Sequence, residues 1–111
     1  TYSDVNENLD ISDIFKKKDV FALTVNGDSM IDACIADGDM VLMEPIRDTY
    51  SLKDGTIVSA MVPGLGTTLK YFFRRGGKIY LEAANPNYEP IELGLEEVVF
   101  QGKLLAVWRK V

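Results

Sequence analysis

Short β-rich runs alternate with glycine-containing turns along most of this chain, and that punctuation restricts its fold more than any other feature. Residues 20–25 are β-rich and are broken by Asn26-Gly27-Asp28. Residues 40–44 follow Asp37-Gly38-Asp39, and residues 56–62 follow Asp54-Gly55. Pro63-Gly64-Leu65-Gly66 reads as a hairpin connection into residues 67–73, and Gly76-Gly77 turns the chain into residues 78–83. Residues 97–101 and 103–108 close the chain around Gly102. Runs of this length between such turns predict a mainly β domain of seven short strands. The only helical candidate is 29–36, where apolar residues cluster without alternation, and it amounts to one or two turns at most. There is no internal repeat and no low-complexity segment. Residues 1–18 begin polar and acidic and read as a lead-in, the remnant of an interdomain region, leaving 19–111 as the folded domain.

At 111 residues the chain has room for one domain with a modest core. Acidic residues outnumber basic ones, 17 to 12, and the net charge of -5 argues against nucleic-acid binding by this chain alone, because phosphate recognition needs clustered Lys and Arg. The basic runs Lys16-Lys17-Lys18 and Arg74-Arg75 are short and read as solvated surface. A single cysteine, Cys34, rules out an intrachain disulfide and fits a reducing cytoplasm. Lying in an apolar stretch, it reads as a small buried hydrophobe and not as a catalytic thiol. No apolar run approaches the ~20 residues of a membrane span and no signal-peptide pattern opens the chain, so the expectation is a soluble, cytoplasmic protein without a membrane partner.

Histidine is absent altogether. That removes Ser-His-Asp and Cys-His nucleophile systems and the usual histidine metal sites. Any hydrolysis must then use carboxylates, a lysine, or a metal held by oxygen alone. Asp32, Asp37 and Asp39 could suggest such a metal cluster, but Asp37-Gly38-Asp39 is turn chemistry and oxygen-only sites need more convergent ligands. These three are assigned to structure, with no metal and no cofactor expected.

Two residues remain as candidates. In Gly27-Asp28-Ser29-Met30-Ile31 a strand ends, glycine allows an unusual backbone angle, and a serine stands before a short helical turn. There a hydroxyl is exposed beside free backbone N–H groups. Taken alone, Ser29 reads more readily as an N-cap or turn residue than as a nucleophile. Lys70 stands inside the β-type run Thr67-Thr68-Leu69-Lys70-Tyr71-Phe72-Phe73, on the face of Phe72 and opposite Leu69 and Tyr71. If that face is solvated, Lys70 is ordinary surface. If it is buried, desolvation lowers its pKa and yields an amine base. A free lysine is neutral in only about one molecule in 2,500 at pH 7, and half-neutrality there costs roughly 4.6 kcal/mol.

The two residues gain weight together. Val25-Asn26-Gly27-Asp28-Ser29-Met30-Ile31-Asp32 and Ile35-Ala36-Asp37-Gly38-Asp39-Met40-Val41 resemble the nucleophile region of the LexA and UmuD self-cleaving proteins. Thr68-Leu69-Lys70-Tyr71 is similar to their segment bearing a general-base lysine. Ala84-Asn85-Pro86-Asn87-Tyr88-Glu89-Pro90-Ile91 and the closing Gln101-Gly102-Lys103-Leu104-Leu105-Ala106-Val107-Trp108-Arg109 resemble the blocks that follow, and the Gly64-Leu65-Gly66 turn and Val107-Trp108-Arg109 ending lean toward LexA. The resemblance implies a compact LexA/signal-peptidase-like domain of short, strongly bent strands. It implies Ser29 as nucleophile, Lys70 as general base, and the backbone amides of Asp28 and Ser29 as oxyanion donors, with no chemical role for the Asp28 side chain. The implied function is that of the autoproteolytic and dimerisation domain of a LexA-type repressor of the SOS DNA-damage response. Its implied partners are a second copy, docked through residues 101–108, its own interdomain segment as substrate, and a RecA filament on single-stranded DNA as activator. DNA would be bound only through an N-terminal helix-turn-helix domain. The family cuts itself at Ala-Gly or Cys-Gly, and neither dipeptide occurs here. The chain therefore reads as a C-terminal product or an engineered fragment. A UmuD-type subunit of a translesion polymerase and a catalytically idle dimerisation module are the alternatives.

Overall fold

A computed structural model describes Lys16 and residues 19–111. The lead-in expected over 1–18 lies, Lys16 apart, outside the described residues. Among the described residues seven antiparallel strands form one sheet: β1 (Phe21–Thr24), β2 (Met40–Pro45), β3 (Ile57–Val62), β4 (Gly66–Arg75), β5 (Lys78–Glu82), β6 (Ile91–Leu93) and β7 (Val99–Trp108). Their spatial order is β1-β2-β7-β3-β4-β5-β6. Beyond Lys16, which is helical, helical structure among the described residues is limited to short 3-10 turns, Ile31–Ala33, Thr49–Ser51 and Leu95–Glu97. No helix among them is long and apolar enough to cross a membrane. The mainly β expectation is met.

The strand count agrees with the sequence reading for the wrong reason. Residues 97–101 and 103–108 were expected as separate strands around a turn at Gly102, yet β7 runs unbroken through it. The seventh strand is instead β6, three residues that pair with β5 through Ile79↔Leu93 and Leu81↔Ile91. Three residues are too few to show alternation, and Pro90 just before them reads as a strand breaker.

Gly102 has a packing role. A Cβ there would meet the Phe21 ring at 2.7 Å and Met43 Cβ at 3.0 Å, so only glycine lets β7 pass beneath Phe21. Register skips bracket this point. Leu42 pairs with Ala106 and Met43 with Leu104, leaving Leu105 as an extra residue, and Ser59 pairs with Gly102 but Ala60 with Phe100, leaving Gln101 extra. Bulges of this kind bend a strand and tighten its twist, so the central strand curls and the sheet closes over two apolar clusters. One gathers Val58, Ala60, Phe72, Ile79, Leu81 and Phe100; the other gathers Met30, Ile35, Val41, Met43 and Ala84. The rings of Phe72 and Phe100 pack edge to face, with 5.4 Å between centroids.

Cys34 departs from expectation, because its side chain is exposed. It ends the Ile31–Ala33 turn in a left-handed conformation, φ 63°, and its N–H donates to Ile31 O. That geometry turns Met30 and Ile35 inward, each 1% exposed, and Cys34 outward. The 29–36 helix shrinks to this single turn for the same reason.

Candidate active site

The candidate serine is delivered by a closed loop between β1 and β2. Val25 N–H donates to Asp39 O and Gly38 N–H to Val25 O, both at 2.8 Å, which ties the loop ends together. Gly27 takes φ +89°, a region open to glycine, and its N–H donates to Asp37 Oδ1 at 2.7 Å. Asp37 is thereby occupied with the loop's own backbone. Asp39 is likewise used in structure: its carboxylate accepts Ala36 N–H and both Nε–H and Nη2–H of Arg109, at 2.6–2.8 Å. Asp32 contributes its N–H to Ala84 O. The Asp37 and Asp39 carboxylates are thus each bound within the loop and its closing contacts.

Arg109 holds the Asp39 carboxyl down to about 2, mainly by hydrogen bonding, with help from the Ala36 amide. A carboxylate held below its unfolded value of 3.8 contributes stability above that value, and this contribution is lost as pH falls toward about 2. Arg109→Gln is therefore expected to move the acid-unfolding midpoint to higher pH, measured by circular dichroism, while leaving stability above pH 5 less affected than Asp39→Ala does.

Lys70 comes from the other side of the cleft. On β4 it alternates with Leu69 and Tyr71, as the sequence implied, and it pairs with Val58 on β3. Of the two faces left open by the sequence, the buried one is realised: Lys70 is only 8% exposed. Burial lowers its pKa from the usual 10.5. Its Nζ lies 3.1 Å from Ser29 Oγ and 2.6 Å from Thr68 Oγ1. The structure thus brings together residues 41 positions apart. Once neutral, an amine at this distance can accept the serine proton, while Thr68, two residues back on the same strand face, holds Nζ in place. Thr68 was missed in the sequence, although its i, i+2 spacing from Lys70 was visible there.

The amides of Asp28 and Ser29 donate to no acceptor among the described residues. Ser29 lines a cleft of about 400 Å³ whose walls include Leu23, Val25, Met30, Leu69 and Tyr88 along with Lys70. Asn85 and Tyr88, also missed, reach the serine turn from the loop after β5. Asn85 Nδ2–H donates to Asp28 O at 2.9 Å and the Tyr88 hydroxyl to Asp28 Oδ1 at 2.6 Å. Nothing local announces these contacts, which span 57 and 60 residues.

Comparison with known proteins shows the family. A family model described as Peptidase S24-like matches residues 1–105. The chain is 39% identical over 104 residues to a LexA repressor of Koribacter versatilis, covering 94% of this chain and 48% of that protein. It is 33% identical over 103 residues to the transcription regulator LexA of Synechocystis sp., covering 93% of this chain and 51% of that protein. The chain thus spans about half the length of these curated relatives. The chain belongs to the Peptidase S24-like family.

Proposed function

We propose that this chain is the self-cleaving and dimerisation part of a LexA-type repressor, a serine endopeptidase with Ser29 as nucleophile and Lys70 as general base. The observation that carries this reading is the 3.1 Å approach of a buried lysine amine to a serine hydroxyl at the floor of a cleft. Neutral Lys70 takes the Ser29 proton as Oγ attacks a peptide carbonyl. The carbonyl oxygen, becoming an oxyanion, is held by the Asp28 and Ser29 amides. The amine of the leaving half takes the proton from Lys70, an acyl-enzyme remains, and water activated by the same lysine hydrolyses it.

The substrate is an extended segment of the repressor's own interdomain region. β1 lies at the edge of the sheet and beside the cleft, so a peptide can add to it as a further strand. Docking there removes water from Lys70 and favours its neutral form, and a RecA filament would act by favouring the docked state. Operator binding belongs to the half of such proteins that this chain does not span, and derepression of DNA-damage genes follows from separating the two halves in the cytoplasm. Dimerisation is supported by β7. Its pairing with β3 ends at Lys103, so residues 104–108 have no partner on that edge among the described residues, beside exposed Val107 and Trp108. This narrows the expected contact from 101–108 to its second half.

The test is cleavage in trans of a peptide carrying an Ala-Gly bond within an apolar segment, followed by mass spectrometry. Cleavage by the wild type and none by Ser29→Ala is the expected result. Equal cleavage by both, or no cleavage by either at pH 9–10, contradicts the peptidase reading and favours the idle module.

A further inference from the structure

The loop that follows β5 grips the serine turn at several points. Ala84 O accepts Asp32 N–H at 2.8 Å, Ala84 N–H meets Met30 Sδ at 3.4 Å, and Asn85 and Tyr88 both bind Asp28. The Asn85 contact differs from the others because it acts on the peptide unit that carries the Ser29 amide. A trans peptide is planar, with its C=O and N–H pointing in opposite directions. Asp28 O is fixed by Asn85 Nδ2–H at 2.9 Å and by Ile31 N–H at 3.2 Å. Pinning that oxygen aims the Ser29 N–H the other way, and this N–H has no acceptor among the described residues. Donation to the carbonyl also polarises the amide and strengthens its N–H as a donor.

Asn85 is built for such a task. It is buried, and its own Oδ1 accepts Asn87 N–H at 2.9 Å, which sets the side-chain amide so that Nδ2 faces Asp28. Tyr88 deals with the neighbouring charge. By donating to Asp28 Oδ1 at 2.6 Å it fixes that carboxylate and takes up part of its negative charge beside the cleft.

We propose that Asn85 is a positioning residue that aims the Ser29 amide at the oxyanion, with Tyr88 fixing the Asp28 carboxylate and damping its charge. The proposal deepens the peptidase reading and rests on it. An aimed amide matters only in the transition state, so losing the aim lowers kcat and leaves substrate binding alone. Because Lys70 is untouched, the pH at which activity rises should not move.

The experiment is steady-state cleavage in trans of the Ala-Gly peptide across pH 7–10, with thermal melts of every variant. Asn85→Ala is expected to lower kcat about 30- to 100-fold, somewhat less than the 100- to 1,000-fold typical when a donor is removed outright. KM should stay within about twofold and the pH midpoint should match the wild type. Tyr88→Phe is expected to lower kcat about 3- to 10-fold, and Asp28→Asn in the same chain to restore it, because the undamped charge is then gone. A loss confined to KM, a shifted pH midpoint, or an unchanged kcat in Asn85→Ala overturns the proposal. If Asn85→Ala does not fold, the Tyr88→Phe and Asp28→Asn pair decides, and absence of restoration overturns it. An inactive wild type overturns the peptidase reading and this proposal together, whereas an active wild type matched by Asn85→Ala overturns this proposal alone.

Discussion

Replacing Lys70 with methionine should abolish peptide cleavage and at the same time raise the melting temperature at neutral pH. The loss of activity is expected to be about 1,000-fold or more, within the range associated with general-base catalysis and its coupling to a nucleophile. The stability gain has a separate cause. Lys70 is 8% exposed and lies beside Phe72, where a charged ammonium is poorly solvated. Methionine has a similar length, fills irregular space and carries no charge. Its advantage is about 1 kcal/mol, kept small because the Nζ end borders the cleft and its charge is partly screened. The pH dependence follows from the lowered pKa of the folded lysine. Below that folded value both states hold the proton and the full cost of burying charge is present. As pH rises from there toward 10.5, the unfolded chain holds more protons than the folded one, so wild-type stability climbs and the advantage of methionine shrinks. Urea melts at pH 6 and pH 10 check this: a gap that widens with pH contradicts it.

The second large effect concerns the fold. Gly102→Ala is expected to destabilise the chain by about 1 to 3 kcal/mol, the range for overpacking a filled site. The added Cβ would stand 2.7 Å from the Phe21 ring and 3.0 Å from Met43 Cβ. The ring tip can swing, but Met43 Cβ is fixed by the backbone of β2, and Met43 itself is fully buried. Phe21→Leu in the Gly102→Ala background should recover part of the loss, since it clears one of the two obstacles. Equilibrium denaturation measures both. Wild-type stability in Gly102→Ala would mean that β7 can shift away from β1 without cost.

Much of this architecture was legible because alternation survives in the strands that cover a core. Residues 67–73 show it best, and the placement of Lys70 opposite Leu69 and Tyr71 followed from period-two geometry alone. Glycine misled in one place. In Asn26-Gly27-Asp28 it marks a true turn, whereas at Gly102 it permits a close approach in mid-strand, and the two uses look alike in a sequence. Cys34 was misplaced because an apolar neighbourhood does not tell which residues of a single 3-10 turn face inward. The site divides the same way. Ser29 and Lys70 were found through local patterns and the resemblance built on them. Asn85 and Tyr88 act only through contacts made when the loop after β5 folds back onto the serine turn, and those contacts have no local signature.

The central claim is that buried Lys70, when neutral, activates Ser29. The most direct measurement of it is the pH dependence of kcat/KM for trans cleavage, taken with a peptide that itself does not titrate between pH 6 and about 11. The account predicts a tenfold rise per pH unit that levels off at a midpoint below 10.5, the direction in which burial moves Lys70. A rate that is flat from pH 7 to about 10, or that persists in Lys70→Met, would contradict it.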